Sequence, residues 1–269
     1  MRDEKFVMLQ ERKIVNSLVD ELTLFDDDLM SRVFDKNIEA TELVLGIILD
    51  RNIKVMQVEG QDELKSHEVG GRSITLDVHA VDADGEEIDI EVQGNSAGSH
   101  IRRARYHSSM VDTRMLGEGQ TFKQLKDSYV IFIYRHDKFR RGLPLYHIDR
   151  YIRETEELFE DGSHIIYVNG NYKGNDEIGQ LMSDFHQTDP ENIHYDALAQ
   201  GVKHFKENEK GREQMCEAVE KYAKEYAVRE KMIAIKNLME NMKLTLDQAL
   251  NALGIQGDER KLIISEWQK

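Results

Sequence analysis

Residues 74–93 have the sequence I-T-L-D-V-H-A-V-D-A-D-G-E-E-I-D-I-E-V-Q, which predicts a β-hairpin. Apolar and polar residues alternate on both sides of an Asp-Gly pair, a pattern typical of two strands joined by a tight turn. A three-residue loop over 83–85 would use Gly85 for the positive φ that such a loop requires. The facing apolar pairs are then Ala80 with Ile88, Val78 with Ile90, and Leu76 with Val92.

The same register places two acidic side chains on the other face of the hairpin. Asp77 lies directly opposite Glu91, and Gln93 follows two residues further along the second strand. A one-residue slip would mix apolar and polar residues on both faces, so this register is favoured. Facing residues have Cβ atoms about 5 Å apart, and like charges at that distance destabilise a sheet. A divalent cation is the simplest compensation, and two solvated surface acids are the alternative.

The composition indicates a globular protein with an acidic surface. The chain has 269 residues, 40% of them hydrophobic, and a formal net charge of −15. That charge argues against a general DNA coat protein, whereas a nuclease needs positive potential only locally. We expect no membrane span, because no apolar run approaches the length that crosses a bilayer. The N-terminal residues lack the features of a signal peptide, and the single cysteine, Cys216, favours the cytoplasm.

The hairpin stands within a predicted α–β–β–α–β–β order, which indicates an α/β fold with a mixed sheet. After a helical N-terminal segment, we predict helices from Asp26 and over 37–49, 100–116 and 152–159, with strands over 53–58, 129–134, 144–148 and 164–168. A polar connection over 61–71 precedes the hairpin, a loop over 94–99 follows it, and helices over 190–206 and 211–241 and two short ones end the chain. The predicted domains are an N-terminal segment (1–24), a core (25–210) and a helical extension (211–269).

Basic side chains gather in the first two turns of the helix predicted over 100–116. They are Arg102, Arg103 and Arg105, accompanied by His100 and His107. Charged runs on helices are most often solvated faces. The position of this run, directly after the acidic hairpin, favours phosphate binding instead.

The order of elements resembles the PD-(D/E)XK nuclease superfamily, and more specifically its Rpn family of recombination-promoting nucleases and putative transposases. The similar segments lie between residues 20 and 210. Besides the hairpin they are F-D-D-D-L-M-S-R-V-F-D-K-N-I-E-A-T-E-L, R-R-A-R-Y-H-S-S-M-V-D, L-P-L-Y-H-I-D-R-Y-I and G-S-H-I-I-Y-V-N-G-N-Y-K-G. The resemblance implies a restriction-endonuclease-like core that acts on DNA. Residues 211–269 lie outside it.

The resemblance also implies a role for each residue that matches the motif. Asp77 would be the motif aspartate and a metal ligand, and Glu91 would share that metal. Gln93 stands where the superfamily usually has lysine. An acid is expected on the helix before the hairpin; Glu42 is our first choice and Glu39 our second. The expected contacts to DNA phosphates are Arg102, Arg103, Arg105 and Tyr106.

Two carboxylates that hold a metal suit phosphodiester hydrolysis. A bound cation can make a water nucleophilic and neutralise the charge that develops on the phosphate. Oxygen ligands without cysteine favour Mg²⁺ or Mn²⁺ over Zn²⁺. Gln93 can orient a water through its amide, but it brings no charge and cannot act as a base. Three alternatives for the general base therefore remain: the substrate phosphate, a second metal, or no general base at all.

Our first hypothesis is a Mg²⁺-dependent DNA endonuclease that uses Asp77, Glu91 and Gln93. The alternative is a catalytically weak or inactive nuclease fold that binds DNA or protein, which Gln93 and the acidic surface favour. A third reading is a regulated toxin or phage-defence factor controlled through residues 211–269. The long Met-rich helix in that extension is expected to serve packing or the interface of a homo-oligomer.

Overall fold

A six-stranded mixed sheet forms the centre of the protein. The computed structural model describes residues 2–65, 72–94 and 101–267, with side chains from residue 12 onward except at 225. The strands are β1 (Val55–Leu64), β2 (Ile74–Asp82), β3 (Glu87–Gln93), β4 (Ser128–Tyr134), β5 (Leu145–Ile148), β6 (Tyr151–Ile152), β7 (Glu157–Leu158) and β8 (Ser163–Asn169). The large sheet has the order β1-β2-β3-β4-β8-β5, and β6 pairs with β7 separately. The mixed α/β fold class is therefore confirmed.

Helices surround the sheet and continue beyond it. They are α1 (Arg2–Glu21), α2 (Asp27–Phe34), α3 (Ile38–Leu49), α4 (Ile101–Met115), α5 (Glu177–Phe185), α6 (Asp196–Glu207), α7 (Glu209–Met242), α8 (Leu246–Ala252) and α9 (Gly257–Trp267). Among the described residues, no helix combines the length and apolar character that a membrane span needs.

The chain divides into two compact units. One unit is Asn16–Met215 and holds the whole sheet. The other joins Met1–Val15 to Cys216–Lys269. It has its own small core of Ile235, Ala249, Leu250, Ile255 and Ile263, contributed by α7, α8 and α9 and the turn between the last two. The division into segments 1–24, 25–210 and 211–269 stays a prediction.

The hairpin has the predicted register. Ala80 faces Ile88 and Val78 faces Ile90, and Gly85 has a φ of 80° in the connecting loop. The apolar face is fully buried, as expected. The acidic face is buried as well, because Asp77 is 7% exposed and Glu91 is 0% exposed. Two solvated surface acids, the alternative for this face, are therefore excluded.

The strands β3, β4 and β8 run parallel at the middle of the sheet. Their carboxyl ends align, so that Gln93 pairs with Tyr134 and Tyr134 pairs with Asn169. β4 is buried on both faces apart from the half-buried Tyr129, as its continuous apolar run predicts. β5 lies at the edge, antiparallel to β8, in agreement with the expectation from Pro144.

The helix predicted over 152–159 is wrong. Its residues instead form β6, a turn and β7, and Glu156 in that turn has a φ of 58°. Ile152, Leu158 and Phe159 are all exposed, so a helix here would have no core to pack against. A helix of eight residues without packing is not stable in water.

Three other elements differ from the prediction. β1 continues through residues 61–64, because its backbone pairs with β2 along an edge whose side chains are largely exposed. Helix α5 was not predicted, and the helix expected from residue 190 begins as a short 3₁₀ turn, with α6 starting only at Asp196. The predicted connection over 66–71 and the predicted loop over 95–99 lie outside the described residues.

Helix α2 lies unusually close to the sheet. A Cβ on Gly60 would stand 2.3 Å from the carbonyl oxygen of Ser31, so this approach of α2 to β1 requires glycine. The helix packs against β1, β2 and β3. Its amino end, which carries Asp27, is thereby brought near the acidic side of the hairpin.

Candidate active site

The two predicted acids interlock across the hairpin. The Asp77 N–H donates to Glu91 Oε1 (3.2 Å), and the Val92 N–H donates to Asp77 Oδ2 (3.0 Å). These side-chain contacts lie just beyond the last facing backbone pair, Val78 with Ile90. Asp77 Oδ2 thereby replaces a backbone acceptor for the Val92 N–H, and Glu91 Oε1 is the acceptor for the Asp77 N–H. Asp77 and Glu91 are therefore close together, as the register predicts.

A third buried acid, Asp89, lies beside this pair and was not predicted. It is two residues before Glu91 on β3, so the alternation of a strand places both side chains on the same face. Asp89 is 0% exposed and contacts His107 of α4, with Nδ1 of His107 lying 2.9 Å from Asp89 Oδ2. The period of two was the signal that could have identified Asp89.

The hydrogen bonds define the tautomer of His107. Arg103 Nε lies 3.2 Å from His107 Nε2, and a guanidinium can only donate, so Nε2 accepts. His107 Nδ1 then carries the proton and donates it to Asp89. Residues 103 and 107 are one helical turn apart, which places both on the face of α4 that meets β3.

Arg103 supplies the positive charge of the site. Its guanidinium forms an ion pair with Glu91 and lies over the ring of Phe132, with Cζ 5.8 Å from the ring centre. The Arg103 side chain retains 32% exposure, so one side of the cation still faces solvent. The predicted phosphate contact thus lies inside the acidic cluster and neutralises part of it.

Asp27 adds a further negative charge. It is the first residue of α2, and sequence analysis assigned it only to the start of that helix. Its charge is the largest cause, after burial, of the raised pKa of Asp77. The pKa of Asp27 is itself raised, first by the surrounding protein atoms and then by Asp28, although its side chain still reaches solvent.

The cluster binds protons more tightly than isolated carboxylates do. Burial raises the pKa of Asp77 to about 8, with help from the charge of Asp27 and against the Val92 hydrogen bond. Burial also raises the pKa of Glu91 well above its ordinary value, followed by the charges of Asp89 and Asp77. The pKa of Asp89 is raised by burial, and His107 opposes the shift. Three acids thus share one guanidinium, and the site favours another cation.

The donor set fits a divalent cation. One ligand atom from each of Asp89, Glu91 and His107 lies within 4.8 Å of the others. Asp89 Oδ1 is buried and receives no hydrogen bond from the described part of the chain, so it has lone pairs to offer. Both nitrogens of His107 already have partners, which leaves the carboxylate oxygens as the better ligands. Oxygen ligands suit Mg²⁺ or Mn²⁺.

The architecture and the acids agree with one known family. A family model described as PD-(D/E)XK nuclease family transposase matches residues 33–180, which is more than half of the chain. The chain belongs to the PD-(D/E)XK nuclease family. Comparison with curated proteins and with solved structures gave no match. The matched range includes the hairpin, α4 and β8, whereas Asp27 lies before it.

Gln93 is the residue expected at the position where the PD-(D/E)XK motif usually has lysine. Its side chain is half-buried at the end of β3, and its Nε2 donates to the Val92 carbonyl (2.8 Å). The amide is therefore engaged with its own strand. Arg103, on the neighbouring helix, is the group that holds a permanent positive charge against Glu91.

Glu42 lies on α3, within the range that matches the PD-(D/E)XK family. Its Oε1 accepts the Val55 N–H (2.9 Å) at the start of β1, which ties α3 to the sheet. Glu39 is exposed on the same helix. Asp27 is the helix acid whose charge reaches Asp77, and a catalytic role for Glu42 stays a prediction.

The other predicted phosphate contacts of this PD-(D/E)XK chain lie on the outer side of α4. Arg102 and Arg105 are exposed. Tyr106 is 38% exposed, and its hydroxyl donates to the Arg72 carbonyl (2.5 Å). Because Arg103 of the same helix faces inward, α4 presents basic groups both to the acids and to solvent.

Proposed function

We propose that this protein is a Mg²⁺- or Mn²⁺-dependent DNA endonuclease. The observation that carries the proposal is the buried group of Asp77, Asp89 and Glu91 in a PD-(D/E)XK nuclease fold, with Arg103 as the adjacent cation. Three buried acids beside one guanidinium are costly unless a further positive charge compensates them. A catalytic cation bound by the acids, beside a helix that binds phosphate, would account for this arrangement.

Some residues of the site would hold the cation, and others would orient its ligands, the water or the phosphate. Asp89 and Glu91, whose ligand atoms lie within 4.8 Å of each other, would hold the cation together with Asp77, which is outside that group but bonds to Glu91. The bound cation supplies an activated water and charge neutralisation. His107 fixes the orientation of Asp89 through its Nδ1–H, in the manner of a group that supports a ligand. Arg103 has donors on its exposed side that can reach a phosphate oxygen while it still pairs with Glu91. Gln93 can orient a water but cannot remove its proton.

Metal binding and plasmid cleavage test the proposal together. Calorimetric titration with Mn²⁺ should show binding to the wild type, and supercoiled plasmid should be nicked with Mn²⁺ or Mg²⁺ but not in EDTA. Asp77→Asn should lose both properties. Asp84→Asn is the matched control, because Asp84 is exposed at the turn of the same hairpin. Equal metal binding and cleavage by Asp77→Asn and the wild type would refute the assignment.

A second candidate function is a nuclease fold that binds DNA without cutting it. The observation that favours it is the state of the motif: Gln93 replaces the lysine, and its amide is bound to Val92. Arg103 already places a cation on Glu91. This candidate predicts duplex binding that is insensitive to Mn²⁺, with no calorimetric signal for the metal. Mn²⁺ binding that disappears in Asp77→Asn would exclude it.

A further inference from the structure

The loop between β4 and β5 concentrates basic residues in an otherwise acidic protein. Residues 135–142 have the sequence R-H-D-K-F-R-R-G, with four basic side chains and one acid, against a net charge of −15 for the chain. We name this segment the Asp137 loop. Neither the metal site nor α4 accounts for its composition.

Asp137 gives the loop a fixed shape. Its carboxylate accepts the N–H groups of Phe139 (3.0 Å), Arg140 (2.9 Å) and Gly142 (2.7 Å). It also accepts the Tyr146 hydroxyl (2.8 Å). Burial alone would raise the pKa of Asp137, but these hydrogen bonds outweigh it and lower the pKa. The loop therefore closes around an ionised carboxylate, which preorganises its backbone.

The loop leaves the sheet beside the candidate active site. The Arg135 N–H donates to the carbonyl of Gln93 (3.0 Å), at the carboxyl end of β3. Lys138 Nζ lies 5.2 Å from the centre of the Tyr134 ring. The charges of Arg103 and Glu91 act on that same tyrosine. Tyr134 thus contacts the loop and lies within electrostatic reach of the site.

The loop and α4 lie on one side of the sheet. Phe139 packs against the buried cluster that contains Tyr134 and Tyr167, and Ala104 of α4 belongs to the same cluster. The ring centres of Phe139 and Tyr167 are 5.2 Å apart. Arg103 of α4 lies over Phe132 and Lys138 of the loop lies over Tyr134, so the two elements share this aromatic cluster, here called the aromatic floor.

Two of the three arginines in the loop have no ion-pair partner among the described residues. Arg135 serves the fold, since it donates to Thr23 Oγ1 and lies over the ring of Phe25. Arg140 and Arg141 are exposed, and within residues 2–65, 72–94 and 101–267 neither pairs with a carboxylate. Exposed guanidinium groups on a rigid loop are suited to contact phosphates.

We propose that the Asp137 loop binds the DNA backbone beside the cleavage site, with Arg140 and Arg141 as its phosphate contacts. The proposal rests on the proposed function, and it adds a second backbone contact, across the aromatic floor from α4. Because these contacts read no base edge, they hold DNA of any sequence. Phosphate neutralisation by the loop also explains how an acidic protein engages an acidic polymer.

Duplex binding in EDTA tests the loop separately from cleavage. The fluorescence anisotropy of a labelled 30-base-pair duplex is followed across a salt series. Arg140→Gln/Arg141→Gln should bind at least about tenfold more weakly near 0.1 M salt, with the salt slope reduced by about 1–2. Lys123→Gln/Lys126→Gln is the matched control, because it removes the same charge from exposed residues before the opposite end of β4. The control should bind like the wild type.

A second variant tests the role of Asp137. Asp137→Asn keeps all basic side chains but weakens the contacts that shape the loop, so it should also reduce affinity. Each variant is checked for wild-type thermal unfolding. A loop variant that binds with wild-type affinity and salt slope would overturn the loop proposal and leave the endonuclease proposal intact. A wild type that binds neither duplex nor single-stranded DNA, in EDTA or with Mn²⁺, would overturn both.

Discussion

The burial of Asp77 makes the stability of the folded protein depend on pH. Its pKa is raised from 3.8 to about 8 in the folded protein, so the folded state holds a proton that the unfolded state releases near pH 4. The stability associated with that proton is complete below pH 4 and is lost as the pH rises towards 8. We expect the free energy of unfolding of the metal-free protein to fall over this range, with Asp77 alone contributing at most about 1.4 kcal/mol per pH unit.

Urea denaturation in EDTA at pH 5, 6.5 and 8 measures this dependence. Asp77→Asn cannot ionise, so its unfolding free energy should fall less steeply between pH 5 and pH 8 than that of the wild type. Asp84→Asn should follow the wild type, since Asp84 is exposed. If Asp77→Asn loses stability with pH as steeply as the wild type, the raised pKa does not belong to Asp77.

Arg103 and a metal ion compete for the same carboxylate. Replacing Arg103 with methionine leaves Glu91 without its ion-pair partner, which destabilises the metal-free protein. A cation at the site would then meet less positive charge, so Arg103→Met should bind Mn²⁺ several-fold more tightly. Thermal unfolding in EDTA and calorimetry measure the two effects. Arg105→Met, on the exposed side of α4, should show neither, and weaker Mn²⁺ binding by Arg103→Met would contradict the argument.

The residues that could be predicted were those linked by a local period. Asp77 and Glu91 followed from the hairpin register, because alternation fixes which side chains face each other. Asp89 follows the same rule and was overlooked. Asp27 and His107 depend on how helices pack onto the sheet, and no spacing in the sequence specifies that packing.

At the scale of elements, one lysine holds three chain segments together. Lys206 of α6 is 4% exposed, and its Nζ donates to the carbonyls of Asp20, Leu22 and Thr188. Two of these carbonyls lie at the carboxyl end of α1, where a cation also interacts favourably with the negative end of the helix dipole. The ammonium thus satisfies backbone oxygens that no helix or strand partner reaches.

Lys206→Met should destabilise the protein by about 2–4 kcal/mol, because buried carbonyls lose their donor. Chemical denaturation measures the loss. Lys203→Met is the control on the same helix, since Lys203 is exposed and its ion pair with Glu191 lies at the surface. Its cost should stay below about 1 kcal/mol. A similar small cost for Lys206→Met would show that water replaces the lysine.

Elements with a strong period were predicted well. The hairpin and α4 show their periods over many residues, β4 is a continuous apolar run, and the structure confirms all three. The segment 152–159 has an amphipathic pattern too, but it has no partner surface, and it forms a small β-hairpin instead. The close approach of α2 depends on Gly60, whose role becomes visible only when the carbonyl of Ser31 is in place.

For the whole molecule, the division into two units makes a direct prediction. The unit Asn16–Met215 contains the sheet, all the site residues and the Asp137 loop. A fragment of residues 16–215 should fold cooperatively and keep Mn²⁺ binding close to that of the full chain. Calorimetry on the fragment measures this. A fragment that is unfolded, or that has lost the metal, would show that the second unit is required for the site.

The net charge of −15 shows what composition alone can and cannot predict about the whole molecule. It excluded a general coat protein, but it could not locate the local positive charge on α4 and the Asp137 loop. Those two regions are separate in the sequence, and both contribute residues that pack in one buried cluster on β4 and β8. Their proximity is a property of the topology.

Cleavage by the Glu91→Gln variant is the most direct test of the account. Single-turnover nicking of supercoiled plasmid is measured with Mn²⁺ and with Mg²⁺, beside the wild type and Asp84→Asn. Glu91→Gln keeps the size of the side chain but removes its charge, so it should cleave at least about 100-fold more slowly, a loss of roughly 3 kcal/mol of transition-state stabilisation. Metal-dependent cleavage by Glu91→Gln at the wild-type rate would contradict the assignment of the active site.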